Sequence, residues 1–215
     1  PASALTLGKS IHSALEVNYS QKIKSKVDLK AEQVIDVFSD YWDEKSKETV
    51  FEADEKPGEV KDDGVKLVTA YHKQISPTIQ PKLVEKEFEL EFENVSYTLK
   101  GYIDLVDKDN VIIDHKTTKR SMSESDVAAD IQLTCYALAY RSLLGSQETG
   151  LRFDVMVRNK TPKLQQISTI RTQADIDRFL KVMAYISKAI EHGIFYPCPN
   201  FMCGVCGYKE LCRKW

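Results

Sequence analysis

From Val84 to Phe92 the chain alternates residue by residue, with Val84, Lys86, Phe88, Leu90 and Phe92 on one side and Glu85, Glu87, Glu89 and Glu91 on the other. A period of two belongs to a β-strand, because successive side chains leave an extended backbone on opposite faces. Tyr97 to Val106 reads as a second strand and Val111 to Lys116 as a third, joined through the turn-forming run Asp107-Lys108-Asp109-Asn110. A three-strand meander in the middle of the chain restricts the fold to one that builds a sheet there and covers it from elsewhere.

Helical periodicity supplies the cover. Leu7, Ile11, Ala14, Leu15 and Tyr19 predict a helix over residues 5–25, and Val34, Val37, Phe38 and Tyr41 predict a second over 29–47. The acidic stretch 49–63, with Pro57 and Gly58, reads as a loop, followed by a helix over 64–76 that Pro77 and Pro81 end. Beyond the meander, a helix is expected over 124–144. Strands follow at 153–159 and 164–170, split by Lys160-Thr161-Pro162, and a last helix over 172–191 has Gly193 after its end. The order implies a mixed α/β (α+β) architecture, a central mixed sheet flanked by helices. The 215 residues suit one domain: a helical part (1–80), a core (81–192) and a cysteine-rich tail (193–215).

Bulk properties exclude some classes. No apolar run is long enough to span a bilayer, so a soluble chain is expected, with no membrane partner. Thirty basic against 32 acidic residues give a net charge of −2, which argues against a general nucleic-acid coat but permits a local groove. Pro1 reads as a trimmed start, with residues upstream missing. Four of the five cysteines crowd into the last 18 residues, which suggests a metal or iron–sulfur centre in a reducing cytosol, bacterial or phage-encoded.

The densest chemical signal lies in the hairpin. Asp114 and Lys116 share a face of the third strand, and Ile113 and His115 share the other. A turn centred near Asp109 sets Asp104 opposite Asp114, with Cβ atoms roughly 5 Å apart. Two carboxylates at that range can each give an oxygen to one divalent ion. A lysine beside them can neutralise a phosphate or orient a water. A one-residue slip would send the two acids to opposite faces. Taken alone, an Asp and a Lys two apart on a strand more often form a solvated face.

The company these residues keep resembles the RecB/AddB-type branch of the PD-(D/E)xK nucleases, including the iron–sulfur nucleases of CRISPR adaptation. Gly8-Lys9-Ser10-Ile11-His12 with Leu15-Glu16 resembles the family's early helix, whose histidine is a metal ligand. Gly101-Tyr102-Ile103-Asp104 resembles the segment with the first acid, and Asp114-His115-Lys116-Thr117 the second acid and catalytic lysine. Gln132 through Tyr136 resembles the Gln-x-x-x-Tyr motif, and the tail resembles the closing cysteines. The resemblance implies a restriction-endonuclease-like core, dependence on Mg²⁺ or Mn²⁺ through His12, Asp104 and Asp114, and cleavage of DNA, often exonucleolytic, in recombination, repair or adaptation, with a helicase or recombination partner.

Several readings stay open beside it. A lone histidine like His12 more often packs or caps, and Gln132 and Tyr136, four apart on one helix face, also fit a surface pair. Glu85 or Glu87 could lie near the site, though a solvated strand face explains their alternation. Lys116 to Arg120 and Arg158 to Lys160 could contact phosphate or be ordinary surface charge. Cys203, Cys206 and Cys212 need a fourth ligand, either Cys198 or a cysteine upstream of Pro1. A [4Fe–4S] cluster follows from the family likeness, and Zn²⁺ is the alternative. Cys135, among Leu133, Ala137 and Leu138, reads as core. The rival functions are a catalytically inactive DNA-binding subunit of a helicase–nuclease and a zinc-binding interaction module.

Overall fold

The structure, a computed structural model, describes residues 1–93, 95–204 and 206–215, without the side chains of Phe201 and Met202. Three helices come first: α1 (Ser3–Ser25), α2 (Ala31–Lys45) and α3 (Pro57–Gln74). The meander β1 (Pro81–Phe92), β2 (Val95–Asp107) and β3 (Val111–Thr118) follows. Then come α4 (Glu124–Ala129), α5 (Ile131–Leu144), β4 (Gly150–Val157), β5 (Lys163–Thr169), α6 (Gln173–Glu191) and, in the tail, the single turn α7 (Lys209–Cys212). No helix among the described residues is long and apolar enough to cross a membrane.

The five strands form one sheet in the order β1-β2-β3-β4-β5. Every pairing is antiparallel except β3 with β4, which is parallel from Val111↔Gly150 to Thr118↔Val157. A parallel pair cannot be joined by a tight turn, so the chain crosses over through α4 and α5. Side chains of β3 leave alternately for two cores. Ile113 packs with Leu105 and Met156 against Ile11, Leu15, Phe38 and Leu67 of α1–α3. Ile112 packs with Val106, Phe153 and Val155 against Leu133 and Ala137 of α5. Both faces of the strand are covered, which explains the unbroken run Val111-Ile112-Ile113. The mixed sheet flanked by helices is the fold class expected from the sequence.

Two expectations are corrected. The stretch read as a loop to residue 63 is helical from Pro57 onward, because proline at the first helical position lacks only an N–H that would be unpaired there. The helix read over 124–144 is two helices. Asp130 is extended (φ −69°, ψ 125°), and its side chain caps α5 by accepting from the Leu133 N–H at 3.1 Å. Arg171 takes up carbonyls at the break, donating to Val127 O (3.1 Å) and Asp130 O (2.9 Å). The break aims the first turn of α5 at the sheet.

Candidate active site

Leu105 faces Ile113 and Val106 faces Ile112 across β2 and β3. The same register one residue further sets Asp104 against Asp114. Between β1 and β2, Val84 faces Leu105 and Lys86 faces Ile103, so Glu85 falls against Asp104. Three acids from three neighbouring strands therefore form a row. Glu85 holds φ at +42°, a left-handed value that a glutamate seldom adopts. Asp104 Oδ2 accepts the His115 N–H at 3.0 Å, so a side chain stands where the strand ladder opens.

The row lines a cavity of about 420 Å³ together with His12, Glu16, Lys116 and Gln132. His12, from α1, reaches over the open end of the ladder. Its Nε2 lies 2.7 Å from the His115 carbonyl oxygen and its Nδ1 3.4 Å from Asp104 Oδ2. One ligand atom from each of His12, Glu85 and Asp104 lies within 4.8 Å of the others. Asp114 borders the same cavity but turns its Oδ2 to Lys116 Nζ, 2.8 Å away. Glu85 thus occupies, in this trio, the place that Asp114 was expected to hold.

Lys116 is fixed on several sides. Its ammonium lies 4.9 Å from the Phe153 ring centre and donates to Gln132 Oε1. Gln132 Nε2 donates to the Tyr136 hydroxyl at 2.8 Å, and that hydroxyl reaches back to Asp104 Oδ1 at 3.4 Å. The chain Asp114–Lys116–Gln132–Tyr136–Asp104 nearly closes on itself. Gln132 and Tyr136, which also fitted a surface pair, both face the acids.

Burial and charge set the electrostatics. Asp114 is 1% exposed, and its pKa is pushed up to about 7 by burial and by Asp104, against the pull of Lys116. Glu85 rises to about 7 through burial and the charges of Asp104 and Glu16. Asp104 goes the other way: burial works to raise it, but the hydrogen bonds and charges of His115 and His12 hold it below the usual carboxylate range. Burial lowers His12 against the attraction of Asp104. Acids pushed up beside one held down mark a site short of positive charge.

Behind the site lies a buried polar network invisible to motif reading. His115 Nε2 lies 3.0 Å from the Tyr71 hydroxyl, which donates to Asp154 Oδ2 at 2.7 Å. Arg152 Nε donates to Asp154 Oδ1 at 2.7 Å. The residue between the second acid and the lysine thus faces the α1–α3 side and fixes a stretch of backbone whose N–H holds Asp104 and whose carbonyl meets His12.

Other expected contacts sort differently. Lys119 pairs with Glu52 at 3.3 Å, and Arg158 with Asp63 at 2.9 Å and Glu55 at 3.2 Å, so these two basic side chains are engaged within the chain. Cys135 is half-buried and packs against the α5-side core. Cys198, Cys203, Cys206 and Cys212 carry free thiols and surround one cavity of about 570 Å³ with Tyr208 and Trp215. Among the described residues, no three of these sulfurs lie within 4.8 Å of one another.

A mixed sheet covered on both faces, opening at a row of acids with a lysine beside it, defines a restriction-endonuclease-like domain. The family model of the PD-(D/E)XK nuclease superfamily matches residues 1–213, and the chain belongs to that superfamily. A crystal structure of a candidate exonuclease from Eubacterium rectale shares the fold, with a TM-score of 0.64 and 13% identity over 100% of this chain and 74% of that one. A structure of the protein SSO0001 has 14% identity over 96% of this chain and 83% of that one, with a TM-score of 0.43. No curated protein matches the sequence.

Glu85 is one of two acids that the sequence left open as neighbours of the site. Its alternating neighbours pointed to a solvated face, and only its register position opposite Asp104 could have singled it out.

Proposed function

We propose that this nuclease is a Mg²⁺- or Mn²⁺-dependent deoxyribonuclease that hydrolyses phosphodiester bonds from DNA ends, of the RecB/AddB type, in recombination, repair or adaptation alongside a helicase or recombination partner. The observation that carries the reading is the convergence of one imidazole and two carboxylates within 4.8 Å, bordered by Asp114 and Lys116. Hard oxygen donors with a single imidazole suit Mg²⁺ or Mn²⁺, and His12, Glu85, Asp104 and Asp114 would hold the ion. When bound, such an ion lowers the pKa of a coordinated water and stabilises charge on the phosphate.

The chain's own groups do the rest. Lys116 gives up its pairing with Asp114 and donates to a non-bridging phosphate oxygen, where negative charge gathers as the bond breaks. Gln132 and Tyr136 keep the ammonium and the Asp104 carboxylate in place through the exchange. The His115 backbone holds Asp104 by its N–H and His12 by its carbonyl.

For the tail we favour a [4Fe–4S] cluster held by Cys198, Cys203, Cys206 and Cys212, tying residues 193–215 to the body. A tetrahedral zinc site brings thiolates to about 3.8 Å of each other, from Zn–S bonds of about 2.3 Å. The preference for a cluster rests on the likeness of the tail to the closing cysteines of the iron–sulfur nucleases, with the four thiols lining one cavity.

A Mn²⁺-supported assay on single- and double-stranded DNA tests the hydrolysis, with Asp114→Ala and Lys116→Ala alongside. Loss of cleavage in both is expected, and equal activity in the variants would refute the assignment. Iron with inorganic sulfide in anaerobically prepared protein supports the cluster, and zinc would replace it.

A further inference from the structure

A second cavity, of about 560 Å³, meets the first across Asp104 and Gln132. Its walls are Phe88, Tyr136, Phe179 and Met183, with Tyr102 and Ile131 among its lining. Phe88 and Tyr136 meet edge to face, their ring centres 6.2 Å apart. Phe88 fits there because Gly101 faces it: a Cβ on residue 101 would come within 2.7 Å of the ring. Tyr102 is 51% exposed and Ile131 58%, so two large side chains stand in water beside the cavity. Lys100 also borders the recess and pairs with Glu89 at 2.9 Å.

We infer that this cavity receives an unpaired nucleobase of the strand whose phosphate lies at Asp104 and Lys116. The inference rests on the proposed DNA cleavage and assigns its substrate class. An apolar, aromatic recess that adjoins an acid–lysine site through Asp104 and Gln132 matches the alternation of a DNA strand, with charge on the phosphate and a π-face on the base. Stacking of that kind tolerates any base, so the recess confers no sequence preference. A base inside a duplex is already stacked and paired, and extracting it costs a few kcal/mol. An unpaired base enters without that cost. The nuclease therefore favours single strands and frayed ends.

The experiment walks one abasic nucleotide along a single-stranded oligonucleotide and measures Mn²⁺-supported kcat/KM at each position. Stacking worth ~1–3 kcal/mol per base predicts a loss of about 5- to 150-fold when the abasic nucleotide flanks the cleaved bond, and little effect elsewhere. A parallel walk with 2-aminopurine, read by fluorescence with Ca²⁺ in place of Mn²⁺, reports base insertion without cleavage. Met183→Trp fills the recess and should remove the positional effects in both walks, while Mn²⁺ affinity stays unchanged. Tyr102→Ala, at an exposed position, should weaken them. Cleavage indifferent to the abasic position, or blunt duplex cut as fast as single strand, overturns the inference and leaves the hydrolysis reading standing. A positional fluorescence change lost in Met183→Trp, without any strand scission, does the reverse. No positional signal in either walk also overturns it.

Discussion

Replacing Asp114 by asparagine should stabilise the metal-free protein while abolishing cleavage. The carboxylate is 1% exposed and its pKa is raised from 3.8 to about 7, first by burial and then by Asp104. A folded-state pKa above the unfolded one means that the folded protein holds the proton more tightly. That contribution is fully present below about pH 4 and is lost as pH rises through about 7. At pH 8 the ionised carboxylate therefore costs the fold ~4 kcal/mol relative to its protonated form. Asn keeps the shape and removes the charge, and the pull of Lys116 is already contained in the raised value. The gain of ~4 kcal/mol corresponds to a Tm higher by about 8–16 °C in a chain of this length. Thermal unfolding of both proteins in EDTA at pH 8 and pH 5 is the assay. The gap should shrink at pH 5, where the native carboxyl is already protonated. Mn²⁺ should raise the Tm of the native protein more than that of the variant, and cleavage should fall by about 100-fold or more. An Asp114→Asn protein no more stable than the native one in EDTA at pH 8 would refute the reasoning.

Four further outcomes are expected. Because Asp114 and Glu85 both sit at about 7 without metal, Mn²⁺ affinity should climb between pH 6 and pH 8 with release of protons; calorimetry in buffers of different ionisation enthalpy should show a heat that varies with the buffer. Lys116→Met should cost about 100-fold or more in cleavage while Mn²⁺ binding persists or tightens, because Asp114 loses its cation; calorimetric loss of metal binding would contradict it. Tyr71→Phe removes the hydroxyl between His115 and Asp154 and should cost ~1–3 kcal/mol in urea unfolding, with weaker Mn²⁺ binding in the folded variant. Gly64→Ala should destabilise by ~1–3 kcal/mol, because its Cβ would lie 2.1 Å from Phe38 in the packed face between α2 and α3; an unchanged urea midpoint would count against that packing.

Local alternation marks the strands of the meander, and short motifs single out Asp104, Asp114 and Lys116 together with His12, Gln132 and Tyr136. Alternation and short motifs are local, and the hairpin turn fixed the register that brings Asp104 to Asp114. Features that depend on contacts between distant segments leave no such local trace. Glu85 joins the site through its position across β1 and β2 and a left-handed backbone, against an alternation that read as solvated. The helix breaks at Asp130, where Arg171, 41 residues away, donates to the carbonyl. His115 faces Tyr71 and Asp154 because β4 lies parallel beside β3, and no local pattern records which strand arrives there. Periodicity encodes which face a side chain leaves from. What waits on that face is set by how the whole chain packs.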